Sequence, residues 1–254
     1  INFKLNKFNQ VVDVNIFVSD WLKNVFYQFD LSKKKSYVVK GGPNKDIFNN
    51  INKIYWNKKS KLKLVTHHWS DNLMKGYLEY KKLDNFLESE KNRDLFDFTF
   101  IGNKPKDIKF NNIKVIEPLR GKELANELKL HDIYITASEN EPSGNHHMEG
   151  ALCGLPIMYK KSGATSEYCR DFGVSYEIDT FFESLDLMKK NYDNFVHKLN
   201  EYPFDFLNAA QSFNNIFNEI YDKKLEIIEE RNLKSKVNIL FRYISNKFLR
   251  YTYN

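Results

Sequence analysis

Two glutamates in one short stretch, Glu141 and Glu149, have seven residues between them, and the loop that separates them contains Pro142 and Gly144. Carboxylates of this kind accept paired hydrogen bonds from vicinal hydroxyl groups, or act as general acids and bases. Acid–base hydrolysis needs one carboxyl group with a raised pKa, for which the sequence gives no evidence. Taken alone, the pair is best read as two surface glutamates near the start of a helix, and the binding of hydroxyl groups is the functional alternative.

The stretch from 132 to 159 predicts the elements that position these glutamates. Residues 133–137 are β-branched and aromatic, which is typical of a buried strand. Apolar residues from Met148 to Leu155 recur at helical spacing, and Pro156 follows the end of that helix. Residues 157–159 begin the next strand. Because ligands bind at the carboxyl ends of strands in open α/β sheets, we expect both glutamates to face such a crevice.

Strands alternate with helices through the middle of the chain. Apolar runs predict further strands at 61–66, 96–101, 113–116 and 174–178. We expect a loop from His67 to Asn72, followed by a helix that opens at Lys75-Gly76. This alternation predicts an α/β fold, with a Rossmann-like parallel sheet flanked by helices and a helical C-terminal extension.

Composition limits the class of protein. The chain has 254 residues, of which 42% are hydrophobic, so a sizeable core is expected. The net charge of +6 comes from residues 231–254, which hold six basic residues and no acidic one, whereas residues 1–230 hold 33 of each. A basic tail is not a nucleic-acid footprint, and no nucleic-acid partner is expected. Two cysteines are too few for a disulfide framework, and with no secretory signal or spanning apolar run they favour the cytoplasm.

Glu141-Pro142-Ser143-Gly144, followed by Glu149 and by Gly154-Leu155-Pro156, resembles the signature of retaining GT-B glycosyltransferases, family 4 in particular. The fold implied is the C-terminal domain of that architecture. The resemblance implies that Lys75, in Lys75-Gly76, neutralises the diphosphate of a nucleotide-sugar donor and that Glu141 holds hydroxyl groups of the donor sugar. These two residues are the candidate catalytic residues.

The same resemblance implies donor-binding roles for other residues. Glu149 would hold the ribose, and Gly144 and Asn145, with Ser143 before them, would present backbone amides to the donor. A family arginine after the first strand of this domain is missing, and His68 is the weak candidate to replace it. Leu119 and Arg120 would contact the nucleotide base. The alternative for Arg120 is a solvated surface charge. Gly102, at a strand end, and Glu167, after the turn at Gly163, complete the candidate set, although Glu167 also suits a helix start.

The resemblance implies transfer of a sugar, with retention of configuration, from a nucleotide-diphosphate donor to a glycan or lipid-linked acceptor. It implies no cofactor and no metal, and the four histidines at 67, 68, 146 and 147 lack a recognisable ligand spacing. Two alternatives stay open. One is a sugar-nucleotide epimerase of the same fold, and the other is a non-catalytic donor-binding module.

Four parts are predicted along the chain. Residues 1–45 resemble the end of an N-terminal domain and its linker, which implies that most of that domain is absent here. Residues 46–180 form the nucleotide-sugar-binding domain and 181–230 the C-terminal helices. Residues 231–254 form a basic tail with one apolar helical stripe. This pattern favours peripheral binding to the anionic inner face of a membrane, and the alternative is that the stripe packs on protein.

Overall fold

The computed structural model describes residues 12–28 and 35–230. Within them the strands are β1 Asn15–Phe17, β2 Ser36–Val38, β3 Leu62–His68, β4 Phe96–Gly102, β5 Lys114–Ile116, β6 Ile133–Thr136, β7 Ile157–Tyr159 and β8 Gly173–Ser175. The α-helices are α1 Asp20–Gln28, α2 Tyr77–Phe86, α3 Glu90–Arg93, α4 Gly121–Leu128, α5 Asn145–Leu152, α6 Thr165–Cys169, α7 Phe181–Leu199, α8 Phe206–Asp222 and α9 Lys224–Glu230. Short 3-10 turns lie at Leu73–Lys75, Arg170–Phe172 and Ile178–Thr180. The predicted basic tail lies outside the described residues.

The main sheet has six parallel strands in the order β5-β4-β3-β6-β7-β8. The chain builds outward from β3 through β4 to β5, and then returns to the other side of β3 with β6. This reversal makes the junction of the paired strands β3 and β6 a topological switch point. The loops that follow these strands diverge there and leave a crevice at the carboxyl ends of the strands. The predicted Rossmann-like α/β sheet with flanking helices is confirmed.

Each face of this sheet carries its own apolar layer. Leu62 and Leu64 of β3 pack with Tyr77, Tyr80 and Leu83 of α2 and with residues of α7. The alternate residue Val65 packs on the other face, against buried residues of α4, α5 and α6. Both layers follow from the two-residue repeat of a strand that is covered on both sides.

The predicted loop from His67 to Asn72 begins two residues too early. Both histidines belong to β3, where His67 pairs with Ile101 and His68 pairs with Gly102. Gly102 has φ +120°, and a Cβ at this position would lie 2.0 Å from the carbonyl oxygen of His68. The ladder extends this far because glycine allows the two backbones to approach, so two polar residues end a buried strand.

The chain divides into two compact units, with the boundary between Ala210 and Gln211 inside α8. The first unit also contains a small parallel sheet of β1 and β2. The four-part division predicted from the sequence stays a prediction. Within the described ranges, no helix combines the length and the apolar character needed to cross a bilayer.

Candidate functional site

The candidate site lies at the carboxyl ends of β3 and β6, on the two sides of the switch point. The loop after β3 leads through the 3-10 turn to Lys75, and the loop after β6 carries Glu141 and leads into α5. The backbone N–H of Glu139 donates to the carbonyl oxygen of Met74 at 2.7 Å, so the two loops are joined directly. The site is therefore built from segments that lie more than 60 residues apart in the chain.

Local backbone chemistry fixes the turn that carries Lys75. The Asn72 side chain accepts a hydrogen bond from the Met74 N–H at 3.0 Å and caps the 3-10 turn. Gly76 ends the turn with φ +90°, and a Cβ there would lie 2.5 Å from Ala137 at the end of β6. Because glycine alone allows both the left-handed φ and this close approach, the Lys75 turn sits directly on β6.

Lys75 and Glu141 meet across the crevice. The distance from Lys75 Nζ to Glu141 Oε2 is 2.7 Å. The side chain of Lys75 is 28% exposed and that of Glu141 is 8% exposed, so the cation remains open to a ligand while its partner is held underneath. An ammonium and a carboxylate in this arrangement can receive a phosphate and a hydroxyl group side by side.

The loop after β7 supports Glu141 from the other side. Gly163, with φ +66°, packs so closely that a Cβ would lie 2.4 Å from the backbone nitrogen and oxygen of Glu141. The Ala164 N–H donates to the Glu141 carbonyl at 2.7 Å, and the Asn140 N–H donates to the Ser162 hydroxyl oxygen at 2.8 Å. The backbone at Glu141 is thus fixed from the β7 side, while Glu139, two residues earlier, is bonded to Met74 on the β3 side.

Glu149 and the start of α5 form the next part of the site. Gly144 has φ +76° and precedes the helix, Ser143 is half-buried before it, and Asn145 is exposed at its first position. The first N–H groups of a helix lack intrahelical partners and attract anionic oxygens. Glu149 lies in the second turn, where its Oε2 is 2.6 Å from Nε2 of the buried His67.

Three more histidines lie beneath this surface. His68 Nε2 is 2.9 Å from the Tyr80 hydroxyl, and His146 Nε2 is 2.9 Å from Thr136 Oγ1. Burial lowers the pKa of both residues well below the ordinary value and lowers the pKa of His147 to about 3. These three rings are neutral at pH 7, so they add no positive charge to that of Lys75. In the part of the chain that the structure describes, no cluster of three or more His, Cys, Asp and Glu side chains can hold a metal ion.

The remaining candidate residues have other surroundings. His68 is buried against α2. Gly102 closes the ladder between β3 and β4. Leu119 is half-buried, and the exposed Arg120 lies with its guanidinium 4.4 Å from the centre of the Trp69 ring. Trp69 follows β3 directly, so Arg120 lies at the rim of the carboxyl-end surface.

Glu167 joins the main body to α1. Its carboxylate accepts hydrogen bonds from the N–H groups of Asp20 at 3.0 Å and Trp21 at 2.7 Å, and it pairs with Lys40 at 3.0 Å. A carboxylate at the first N–H groups of a helix is favourable because it complements the helix dipole. The structure therefore gives Glu167 a capping contact with another helix rather than with its own.

Sequence reasoning missed the residues that hold the glutamates in place, namely His67, Tyr134 and Gly163. The alternation Leu62, Leu64, Thr66 in β3 continues to His68 on one face, and His67 follows Val65 on the other face. That continuation was the available signal for two buried histidines. Nothing local identifies Tyr134 or Gly163, since their partners are distant in the sequence.

No family model matches the sequence, and no curated protein matches it significantly. Solved structures do match. A glycosyltransferase from Rickettsia africae ESF-5 is 18% identical with a TM-score of 0.64, over 86% of this chain and 67% of that one. Sucrose-phosphate synthase from Thermosynechococcus elongatus is 11% identical with a TM-score of 0.67, over 87% and 61%. Anabaena HepE, solved with UDP and glucose, is 12% identical with a TM-score of 0.60, over 83% and 64%.

These neighbours are GT-B glycosyltransferases. The chain shares their fold, which has a Rossmann-like parallel sheet flanked by helices and further helices at the C-terminal end of the chain. At such identities the likeness shows the fold alone. The chain spans between 61% and 67% of the length of the three proteins.

Proposed function

We propose that this chain is the donor-binding part of a retaining GT-B glycosyltransferase of the family 4 type. It would bind a nucleotide-diphosphate sugar and deliver the sugar to a glycan or lipid-linked acceptor. The single observation that carries the proposal is the ion pair of Lys75 and Glu141, 2.7 Å apart, at the switch point of the sheet. A donor molecule presents to such a pair the two groups it suits, a diphosphate and sugar hydroxyls.

Each residue has a role in this proposal. The Lys75 ammonium stabilises the negative charge that builds up on the leaving diphosphate, and this stabilisation is greatest in the transition state. Glu141 accepts hydrogen bonds from hydroxyl groups of the donor sugar and orients it. Backbone amides at Gly144 and Asn145 bind donor oxygens at the start of α5. Glu149 accepts hydrogen bonds from the ribose diol.

The acceptor side and the location belong to the proposal as well. The resemblance supports retention of configuration and an acceptor held by a facing domain. The basic tail supports a cytoplasmic protein that binds the inner face of a membrane, because each basic residue near an anionic leaflet contributes about 1 kcal/mol. Co-sedimentation of the full chain with anionic vesicles tests this part, and equal recovery with neutral vesicles contradicts it.

Binding of nucleotides tests the donor site directly. UDP, GDP and ADP are titrated by calorimetry, first with the wild-type chain and then with Glu149→Gln. We expect at least one nucleotide to bind, and Glu149→Gln to weaken it by about tenfold, because a neutral amide is a poorer acceptor for the diol. Glu90→Gln is the matched control, since the Glu90 side chain is 94% exposed. Failure of all three nucleotides to bind contradicts the proposal.

Product analysis separates transfer from epimerisation. The chain is incubated with UDP-glucose and with the corresponding GDP and ADP sugars, without any added acceptor. A transferase releases nucleoside diphosphate and free sugar slowly, and proton NMR of the first sugar released reports whether the configuration is retained. A second nucleotide sugar as the product identifies an epimerase instead. Tight binding without any turnover identifies a binding module.

A further inference from the structure

Glu149 is held from behind by a histidine that is itself held from behind. His67 Nε2 lies 2.6 Å from Glu149 Oε2, and His67 Nδ1 lies 3.1 Å from the Tyr134 hydroxyl oxygen. The His67 backbone N–H also donates to that hydroxyl oxygen at 3.1 Å. The carboxylate, the imidazole and the phenol form one continuous chain of hydrogen bonds that runs from the crevice into the core.

The partners in this series of hydrogen bonds place a proton on His67 Nε2. A carboxylate accepts only, so His67 Nε2 carries a proton and donates it to Glu149. Burial raises the pKa of Tyr134 well above its ordinary value, so its hydroxyl keeps its proton. That hydroxyl accepts from the His67 backbone N–H, and its own proton can reach His67 Nδ1 at 3.1 Å or the His67 carbonyl oxygen at 3.4 Å. With either partner, Tyr134 holds the imidazole ring in the orientation that directs Nε2 at Glu149.

Burial and packing hold the side chains of His67 and Tyr134 in place. Tyr134 is fully buried, and the side chain of His67 is only 4% exposed. A Cβ at Gly150 would lie 2.4 Å from the Tyr134 ring, so α5 rests directly on that ring. The rings of His67 and Tyr134 also pack edge to face, with centroids 5.6 Å apart. The same aromatic side chain therefore fixes both the histidine and the helix that carries Glu149.

We propose that His67, with Tyr134 behind it, is a positioning residue that aims the Glu149 carboxylate at the ribose of the donor. This inference rests on the proposed function, because it assumes that Glu149 meets a ribose diol. The carboxylate has two oxygens, and His67 engages Oε2 and so fixes the rotation of the whole group. A carboxylate fixed in this way loses little side-chain freedom on binding, which improves affinity without a new contact.

The test compares nucleotides with and without the diol. UDP, GDP and ADP are each titrated beside their 2′,3′-dideoxy analogues, using the wild type, His67→Leu and His67→Gln. In His67→Leu we expect ribonucleotide binding to weaken by about tenfold and dideoxynucleotide binding by less than about twofold. His67→Gln keeps an N–H donor near Glu149, and we expect it to retain most of the discrimination. His131→Gln, a change at another buried histidine, is the control and leaves the discrimination unchanged.

The outcomes separate positioning from simple structural damage. Equal weakening of both nucleotide types in His67→Leu, or unchanged discrimination, overturns the positioning role. A wild-type chain that binds both types equally removes the ribose contact of Glu149, and the inference falls with it. If the wild-type chain binds none of the nucleotides, the proposed function fails first. Thermal unfolding of each variant identifies any that is not folded.

Discussion

The two ends of the main sheet carry similar residues and use them differently. At the carboxyl end, Lys75 pairs with Glu141 and His67 pairs with Glu149, side chain to side chain. At the amino end, Lys53 Nζ donates to the His131 carbonyl at 2.5 Å, and the Asp132 carboxylate accepts from the Lys63 backbone N–H at 2.8 Å. His131 Nδ1 likewise lies 2.9 Å from the Glu127 carbonyl oxygen. These amino-end side chains bond to the backbone, whereas the two carboxyl-end pairs bond side chain to side chain.

This difference indicates which end is better suited to bind a ligand. A charged side chain that satisfies backbone groups cannot leave them without a cost, because the carbonyl or N–H would be buried without a partner. Two side chains that satisfy each other can exchange that partner for a diphosphate or a diol. The two lysines also differ in exposure. Lys53 is 8% exposed and burial lowers its pKa to about 8, whereas the side chain of Lys75 is 28% exposed. The amino end is therefore structural, and the carboxyl end is the candidate site.

The largest expected effect is on turnover at the carboxyl end. Lys75→Ala is expected to lower the release of nucleoside diphosphate from the donor by about 100- to 1,000-fold, because it removes the charge that stabilises the leaving group. The assay measures the rate of nucleotide release under saturating donor. Lys189→Ala, at a position of α7 where the side chain is 25% exposed and pairs with Asp186, is the matched control and should leave the rate unchanged. A loss below about threefold in Lys75→Ala would contradict its role in the chemistry.

The second largest effect is expected on the free energy of unfolding, from a change at the carboxyl end of the sheet. Gly76→Ala is expected to lower the free energy of unfolding by about 3 kcal/mol, since it combines a left-handed φ with overlap on Ala137. Gly121→Ala is the matched control, because Gly121 has φ +53° with nothing within 4 Å of its Cβ position. We expect that control to cost about 1 kcal/mol. Urea titration measures both, and equal costs would show that the close approach to β6 does not matter.

The pH dependence of stability tests the amino end. Burial lowers the pKa of His131 from 6.5 to about 4. Between these values the unfolded chain binds the proton and the folded chain does not, so stability is present above pH 6.5 and is lost as the pH falls. His131→Gln should therefore reduce the loss of unfolding free energy between pH 7 and pH 5 by about 2 kcal/mol. His197→Gln, at an exposed position of α7, should leave the pH dependence unchanged.

The smallest effect is expected from Lys53→Met. It replaces a buried lysine, 8% exposed, by an apolar side chain of similar length, which leaves the His131 carbonyl without its donor but removes the cost of burying an ammonium group. We expect the free energy of unfolding at pH 7 to fall by about 1 kcal/mol, because the lost hydrogen bond outweighs the lower cost of burial, with nucleotide binding unaffected. A large loss of binding in this variant would abolish the distinction between the two ends.

Local sequence patterns predicted much of the fold and part of the site. The strand at 157–159 and the helix that carries Glu149 follow from apolar spacing, and the motif resemblance points to Lys75 and Glu141. The sequence predicts an end of β3 that is two residues too early because His67 and His68 are polar, and polarity at the end of an apolar run usually indicates a loop. Their burial depends on β3 lying between β4 and β6. The residues of β3 do not show which strands pair with it, so the sequence of this strand does not predict that burial.

The sequence by itself determined the alternation of strands and helices and the order of the chemical groups along the chain. Only the tertiary structure decided which groups meet. His67 reaches Glu149 across 82 residues, and Gly163 reaches Glu141 across 22. These contacts depend on strand order and register, and a shift of one residue would turn each side chain to the opposite face of the sheet. The pairing of carboxylates with their partners is therefore a property of the assembled sheet, because packing on both faces selects one register for the whole chain.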